Sequence, residues 1–142
     1  MHTKFPVTVH MLFFRGNRVL LSRRFQTGYK DGFYSVPAGH LDGNEPVRQA
    51  AVRETREEVG LVIQPEDVAF AGVFHRREGD ERIDFFVNVR QWEGEPVNAE
   101  PHKCDELLWA EVEKLPENTI PYVRRAIENF RKGVMFEEFG WD

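Results

Sequence analysis

The chain has 142 residues, 41% of them hydrophobic and 30% charged, and a formal net charge of −5. This length predicts one domain, residues 1–142, with enough apolar side chains to bury a core. The negative charge argues against a broad basic surface for a nucleic acid polymer, although a small anionic ligand needs only a local cationic patch. Cys104 is the single cysteine, which excludes an internal disulfide and a cysteine zinc cluster and fits a reducing cytoplasm.

The first predicted elements are two strands joined by a turn. Phe5 to Phe14 carries bulky and β-branched residues on both alternating faces, which is typical of a central strand covered on both sides. The run is too short to span a bilayer and lacks the cleavage site of a signal peptide. Residues 15–17 form a turn, and residues 18–24 return as the second strand of a hairpin. His10 is interpreted as a polar residue of the core or of a pocket wall.

A loop is predicted between Phe25 and Tyr34, because FQTGYKDGFY is too polar and too interrupted by glycine for a regular element. Two interpretations stay open. In one, the loop is a lid whose aromatic side chains stack on a base and whose cations meet phosphate; the candidate cations are Arg23, Arg24 and Lys30. In the other, it is a connecting loop whose aromatic side chains pack on the core.

A helix is predicted from Glu45 to Val59. Asn44 precedes it as an N-cap candidate, Pro46 falls in its first turn, and Gly60 follows its end. At about 100° of rotation per residue, the apolar positions share one arc that can pack against a sheet, and the acidic positions lie on the adjoining arc.

Three carboxylates, Glu54, Glu57 and Glu58, share that acidic arc within one turn. Like charges this close raise one another's proton affinity, and a hard divalent cation with oxygen ligands keeps them ionised. The spacing therefore indicates a metal site. Taken alone, however, the six residues RETREE favour a solvated helix face with charge pairs.

A longer pattern distinguishes these two interpretations. Gly39 to Leu61, GHLDGNEPVRQAAVRETREEVGL, resembles the Nudix box, GX5EX7REUXEEXGU, in which U is a bulky aliphatic residue. Every fixed position matches except Thr55, which lies on the core-facing arc, where its methyl group can still pack. The chain thus resembles the Nudix hydrolases, a family that cleaves a nucleoside diphosphate linked to another group.

The resemblance implies a role for each matching residue. Glu54, Glu57 and Glu58 are expected to bind Mg²⁺, with Mn²⁺ as the alternative, and the main-chain carbonyl of Ala38 is expected to join them. The family's more usual residue at position 38 is glycine, but any residue whose backbone conformation is tolerated can supply a carbonyl.

Arg53 is expected, on the same resemblance, to hold the glutamates in position, with Glu45 as its partner. In relatives the general base is sometimes a glutamate of the box and sometimes an acid of a distant loop. Glu57 is therefore predicted to act as base or as ligand. The candidate distant acids are Glu78, Asp80, Glu100, Asp105 and Glu106.

The second half of the chain adds strands and a final helix. Residues 68–76 and 82–92 are predicted as a hairpin, and residues 107–112 as a further short strand. The last helix is expected to begin after Asn118 or Thr119, with Pro121 in its first turn and Gly133 at its end. It should pack on the sheet face opposite the first helix, which gives an α/β/α sandwich with a mixed sheet, the fold that the resemblance also implies. The tail, FEEFGWD, is expected to cover part of the body or a neighbouring subunit.

Substrate contacts are inferred from a second resemblance. Residues 100–122 are similar to a region of MutT-like and related nucleoside triphosphate pyrophosphohydrolases in which the loop before the last helix meets the base. On that resemblance Asn118 is a candidate base contact, since an amide can both donate and accept; the alternative is that it only caps the helix. His40 has two readings, a phosphate contact and a structural histidine, and Tyr34 and Arg23 are candidate contacts from the loop region.

These observations lead to one leading hypothesis, an Mg²⁺-dependent pyrophosphohydrolase that cleaves a nucleoside triphosphate to a monophosphate and pyrophosphate. An oxidised purine nucleotide is one candidate substrate. ADP-ribose, nucleotide sugars and dinucleoside polyphosphates stay open, as does a nucleotide-binding Nudix module without turnover. Neither a membrane nor a nucleic acid polymer is expected as a partner, and a homodimer is left open.

Overall fold

The computed structural model describes residues 1–142 as one mixed sheet with a helix on each face. The eight strands are β1 (Val7–Arg15), β2 (Arg18–Arg24), β3 (Tyr34–Ser35), β4 (Ala38–His40), β5 (Val68–Glu78), β6 (Asp80–Val89), β7 (Cys104–Glu111) and β8 (Phe136–Phe139). The helices are α1 (Val47–Val59) and α2 (Pro121–Lys132), and a short 3₁₀ turn covers Pro65–Asp67.

The central strand β1 divides the sheet. Along one edge it pairs in parallel with β6 from Val7 to Phe13. Along the other edge its first half pairs with β4, where Thr8 faces His40, and its end pairs with β2, where Arg15 faces Arg18. Strands β3 and β7 extend the β2 side. The two antiparallel partners of β1 thus diverge, and this split is where a cleft opens.

Two separate cores confirm the α/β/α sandwich. The alternating side chains of β1 point to opposite faces, as the period of a strand requires. On one face, β1 packs with α1; the residues are Val9, Met11, Phe13, Ala50, Ala51 and Val59. On the other face, β1, β5 and β6 pack with α2; the residues are Leu12, Phe74, Phe86, Val123, Ala126 and Ile127.

The start of α1 corrects the predicted cap. Asn44 has a left-handed backbone with φ of 59° and the N-cap is the extended Pro46, so the helix begins at Val47 and not at Glu45. An N-cap residue needs a β-region backbone next to the first helical residue, which Asn44 does not have. The predicted end is confirmed, because Gly60 has φ of 69° and its N–H donates to the Arg56 carbonyl at 3.1 Å.

The later elements match their predictions with shifted bounds. The β5–β6 hairpin pairs Glu78 with Asp80 around Gly79, so β5 is longer than predicted, while β6 ends at Val89, before Trp92. Strand β7 begins at Cys104 because it continues along β2 as far as Arg24. Helix α2 has Ile120 as its N-cap, so Asn118 does not cap it.

The tail is a structural element. Residues 136–139 form β8, which pairs in parallel with β5 and places Phe136 beside Val73. The Trp141 indole N–H donates to the His75 carbonyl at 3.0 Å, which fixes the chain end to the same strand. Neither helix is long and apolar enough to cross a bilayer.

Candidate active site

A cleft of about 880 Å³ opens where the sheet splits. Its walls come from the start of β1, the end of β2, strand β4, the acidic face of α1, the loop before β3 and the segment 100–104. Glu54, Glu57 and Glu58 all line this cleft, as does Ala38. The fold therefore brings together on one cavity the residues for which the box resemblance implied metal binding.

Arg53 holds the acidic face of α1 in position. Its Nη2 donates to Glu45 Oε1 at 2.6 Å, and its Nη1 donates to Glu54 Oε1 at 2.7 Å and to Glu57 Oε2 at 3.5 Å. Nη2 also reaches the His40 carbonyl at 3.3 Å, which ties the helix to β4. The hydrogen bond from Arg53 lowers the pKa of the Glu45 carboxyl. We call this arrangement the Arg53 clamp.

Gly39 permits the close approach of Glu54 to β4. A Cβ at position 39 would overlap the Glu54 carboxyl group, so any other residue would displace that side chain. Glu54 is 13% exposed, and this burial is the main reason why its pKa is raised. The glycine that opens the box thus sets the position of its first metal-ligand candidate.

Glu58 is the most buried acid of the set. Its Oε1 accepts a hydrogen bond from the Ala38 N–H at 3.4 Å. Burial raises the pKa of Glu58 well above its ordinary value, and the neighbouring charges of Glu54 and Glu100 raise it further. Glu100 belongs to the segment before β7, so a fourth carboxylate from another part of the chain faces the box helix.

The donor set fits a divalent cation. Two adjacent carboxylates, Glu54 and Glu58, are partly buried and repel each other, and a hard cation relieves that repulsion. The candidate ligands, Glu54, Glu57, Glu58 and the Ala38 carbonyl, all offer oxygen, which suits Mg²⁺ or Mn²⁺ and not a thiolate-preferring metal. No group of three or more His, Cys, Asp or Glu side chains is already arranged to coordinate a metal ion. Glu57 is half-exposed to the cleft and can turn toward a cation.

The four predicted substrate contacts divide into two pairs. Arg23 and His40 line the cleft, and Arg23 is held by Asp105 at 2.7 Å. Tyr34 and Asn118 do not line it. Tyr34 is buried and its hydroxyl donates to Glu106, while the Asn118 amide donates to the Gly32 carbonyl at 2.8 Å, where it fixes the loop before β3.

The five candidate distant acids also divide. Glu78 and Glu100 line the cleft, and only Glu100 raises the pKa of a box glutamate. Asp80 pairs with Arg82 at 2.8 Å on the β5–β6 hairpin. The other two, Asp105 and Glu106, bind the side chains of Arg23 and Tyr34.

The loop before β3 combines features of both interpretations. Tyr29 lines the cleft and is 42% exposed, as a stacking residue of a lid would be, whereas Phe33 packs against the core. Asp31 closes the loop on itself by accepting from the Thr27 hydroxyl at 2.6 Å and from the Gly28 N–H at 3.0 Å. Arg24 Nε donates to the Tyr29 carbonyl at 2.6 Å. The loop therefore has defined internal contacts.

A buried polar network that borders the cleft was not predicted from the sequence. We call it the polar floor; its residues are Thr8, His10, Arg76, Asp84 and Tyr122. Arg76 Nε donates to Asp84 Oδ2 at 2.6 Å, and the Thr8 hydroxyl donates to Asp84 Oδ1 at 2.6 Å. Asp84 is fully buried and Arg76 is 4% exposed. Of these five residues, all except Asp84 line the cleft.

His10 completes the floor and confirms its predicted place in the core and pocket wall. Its Nε2 is 2.9 Å from the Tyr122 hydroxyl, and its ring stacks on Phe86 with centroids 4.5 Å apart. Burial lowers the pKa of His10 to about 4, so the ring is neutral at pH 7. One signal could have found the network: Asp84 takes a core-facing position, because it shares a strand face with Phe86.

Comparison with known proteins agrees with this fold. The model of the NUDIX domain matches residues 4–130. The 8-oxo-dGTP diphosphatase of Escherichia coli is 26% identical over 125 residues, 86% of this chain and 95% of that protein. The RNA pyrophosphohydrolase of a Wolbachia species is 24% identical over 94% of this chain and 88% of its own length. The crystal structure of a MutT NUDIX hydrolase from Burkholderia pseudomallei superposes with a TM-score of 0.81 at 26% identity, covering 89% of this chain and 98% of that one.

Proposed function

The chain belongs to the NUDIX family of hydrolases acting on pyrophosphate bonds, and from that membership we propose that it is an Mg²⁺-dependent pyrophosphohydrolase of nucleoside triphosphates. The products are a nucleoside monophosphate and pyrophosphate. The proposal treats residues 1–142 as one catalytic domain and places it in a reducing cytoplasm, supported by the single unpaired Cys104.

One observation carries the proposal: the Arg53 clamp and the Gly39 contact present the acidic face of α1 to a cleft of nucleotide size. The candidate ligands are Glu54, Glu57, Glu58 and the Ala38 carbonyl. Bound there, Mg²⁺ or Mn²⁺ would neutralise phosphate oxygens and lower the pKa of a water molecule. Arg53 keeps the carboxylates from spreading apart before the cation binds.

Proton transfer is assigned to an acid at the cleft. Glu57 is the preferred base or ligand, because it is 52% exposed and only weakly held by Arg53 at 3.5 Å. Glu100 is the alternative base, because it lines the same cleft and faces Glu58 from a separate segment. An acid that can move while its neighbours stay fixed suits the deprotonation of an attacking water.

Further cations at the cleft suit a polyphosphate chain. Arg23, Arg24 and Lys103 line it, and His40 lies beside the clamp. Arginine side chains bind phosphate oxygens through two parallel N–H donors, so these residues can orient the phosphates that are not cleaved. The loop with Tyr29 offers an aromatic face beside them.

The proposal that the substrate is a nucleoside triphosphate rests on similarity to known relatives. The Escherichia coli relative matched over 95% of its length is an 8-oxo-dGTP diphosphatase, whereas the Wolbachia relative is an RNA pyrophosphohydrolase. Both names describe cleavage of a pyrophosphate bond, and they differ in what is attached to it. An oxidised purine triphosphate therefore remains one candidate substrate, beside ADP-ribose, nucleotide sugars and dinucleoside polyphosphates.

A hydrolysis screen with identified products tests the proposal. Purified protein with millimolar Mg²⁺ is incubated with triphosphates, ADP-ribose, nucleotide sugars and dinucleoside polyphosphates, and phosphorus NMR identifies each product. Pyrophosphate as the product supports the triphosphate proposal, whereas a sugar phosphate would replace it with a nucleotide sugar hydrolase. If no compound is cleaved but one raises the melting temperature, the protein is a nucleotide-binding module, since ligand binding stabilises by mass action.

A further inference from the structure

The polar floor contains an arginine whose donors are only partly used. A guanidinium has five N–H groups. Arg76 uses Nε and one Nη2 N–H on Asp84, at 2.6 and 3.4 Å, and one Nη1 N–H on Glu78 at 3.1 Å. One N–H on each terminal nitrogen is left without a protein acceptor, and Arg76 lines the cleft.

Its neighbours fix the direction of this guanidinium. Asp84 binds it side-on through Nε and Nη2, and Glu78 lies at Nη1. The Tyr122 ring covers its face, with Cζ 3.6 Å from the ring centroid. A side-on carboxylate and a stacked ring leave Nη1 and Nη2, each with one N–H that has no protein acceptor, as the donors available to a ligand in the cleft.

The local charge decides between a phosphate and a neutral acceptor. Arg76 and Arg82 are each held by carboxylates, since Asp84, Glu78 and Asp80 bind them at 2.6, 3.1 and 2.8 Å, and Arg24 is a third cation close enough to influence Tyr122. His10 is neutral at pH 7 and adds no positive charge. The carboxylates already bound to Arg76 and Arg82 offset the charge of these two arginines, so a phosphate gains little net attraction from them, whereas a neutral group with two acceptors needs none.

We propose that Arg76 is a specificity-determining residue that reads the O6 and N7 acceptors of an unmodified guanine base. An arginine that donates two parallel N–H groups to O6 and N7 is the commonest specific contact to guanine. Adenine has an N6 amino donor beside N7, and 8-oxoguanine carries a hydrogen on N7. In either base, one N–H of Arg76 would therefore face another hydrogen-bond donor. Tyr29, exposed at the same cleft, provides a face on which the base stacks.

This inference rests on the proposed function, because it supposes that a nucleotide lies in the cleft with its phosphates toward α1. It also narrows that function: among purine nucleotides, it favours guanine over the oxidised purine left open above. Arg76 contacts the substrate's base and takes no part in the bond cleavage.

Substrate analogues test the subsite without altering the protein. Steady-state kcat/KM is measured for GTP, 7-deaza-GTP, ITP, ATP and 8-oxo-GTP, and calorimetry measures the binding of GMP and 7-deaza-GMP. We expect 7-deaza-GTP, in which N7 is replaced by C–H, to be at least about tenfold poorer than GTP, and ITP, which keeps O6 and N7, to equal GTP. GMP should bind about tenfold more tightly than 7-deaza-GMP.

A pair of variants assigns the preference to this side chain. Arg76→Lys keeps the charge beside Asp84 but loses the two-pronged geometry, so the ratio of GTP to 7-deaza-GTP should fall toward one. Arg77→Lys is the matched control, because Arg77 is the next residue of β5, does not line the cleft, and should keep the ratio. Should Arg76→Lys not fold, the analogue comparison on the unaltered protein still tests whether N7 of guanine is recognised, and equal use of GTP and 7-deaza-GTP still overturns the subsite.

The outcomes separate the subsite from the proposed function. Equal turnover of GTP, 7-deaza-GTP and ATP would overturn the subsite and leave the hydrolase intact. A uniform loss on all nucleotides in Arg76→Lys would also overturn it, because Arg76 would then bind the phosphates or the sugar. Binding of GMP over 7-deaza-GMP without turnover of any triphosphate would support the subsite and refute the hydrolase proposal, and an absence of both would refute both.

Discussion

The acidic face of α1 and the polar floor lie on the same cleft but are built in different ways. On α1 the functional groups come from one helical turn, held by a clamp whose arginine is itself partly exposed to solvent. The floor gathers Arg76 and Asp84 from a hairpin and Tyr122 from the last helix, and buries them. Side chains on one helical turn can exchange partners with a ligand without disturbing the fold. A buried network assembled from distant segments also holds those segments together, so a change in it lowers the stability of the protein.

Removal of one charge from the floor should therefore have the largest effect on stability. Asp84→Ala leaves the Arg76 guanidinium buried with only the partly exposed Glu78 as partner, and loss of one member of a buried pair costs about 3–5 kcal/mol. Urea denaturation measures the change in the free energy of unfolding.

Asp80→Ala is the matched control on the same hairpin. Asp80 is 51% exposed in its pair with Arg82, and exposed pairs contribute about 0–1 kcal/mol. A loss for Asp84→Ala no larger than that of Asp80→Ala would show that the floor is not a structural element and would remove the contrast with α1.

The acidic face should respond in the opposite manner. Glu57→Gln keeps the size of a half-exposed side chain, so the free energy of unfolding should stay within about 0.5 kcal/mol of the parent. Turnover of the best substrate should fall at least roughly a hundredfold, equivalent to about 2.7 kcal/mol of barrier, because a ligand or base is lost.

Glu66→Gln, on the exposed 3₁₀ turn away from the cleft, is the control for this variant and should keep activity within about twofold. Both rates are measured at saturating Mg²⁺ and nucleotide. Near-normal turnover in Glu57→Gln would refute the role given to this glutamate and shift the base assignment to Glu100.

The contrast between one helical turn and a network of distant segments also explains which residues could be predicted from the sequence. The carboxylates of the α1 face follow from helical spacing, and the Arg53 to Glu45 pair was implied by the resemblance to the box, whereas the contact of Gly39 with Glu54 is seen only in the structure. Arg76 and Tyr122 meet only because β5 and α2 pack on one sheet face, and no local pattern links positions 46 residues apart in sequence. The cap at Asn44 failed for a related reason: its backbone is set by the loop leading into Pro46 and not by its own helix preference.

Acidification should affect the two regions in opposite directions. Burial lowers the pKa of His10 from 6.5 to about 4, so the unfolded chain binds a proton in this range that the folded protein does not. The contribution of His10 to the free energy of unfolding is therefore fully present above pH 6.5 and is lost as the pH falls toward 4. Between pH 7 and pH 5 this loss amounts to about 2 kcal/mol. Glu54 and Glu58 have raised pKa values, so their protonation in the folded state favours folding in acid.

Comparison with His10→Gln isolates the first effect. Gln keeps a polar group near the Tyr122 hydroxyl but does not titrate, and the two glutamates respond equally in both proteins. The difference in unfolding free energy between parent and variant should shrink by about 2 kcal/mol from pH 7 to pH 5. A difference independent of pH would mean that His10 becomes protonated in the folded protein. Asp84, whose pKa is lowered, adds its loss only below its ordinary value of 3.8 and lies outside this window.

The smallest predicted effect concerns the one departure from the box, on the core side of α1. Thr55 is fully buried and its Oγ1 has no hydrogen-bond partner. A valine has nearly the same shape without the unsatisfied hydroxyl, so Thr55→Val should raise the free energy of unfolding by about 1 kcal/mol. Thr119→Val is the control, because its hydroxyl donates to the Pro116 carbonyl at 2.7 Å and the change should destabilise. A stabilised Thr55→Val with unchanged turnover would show that the core and acidic arcs of α1 vary independently. A loss of stability would show that the Thr55 hydroxyl is not a cost to the fold.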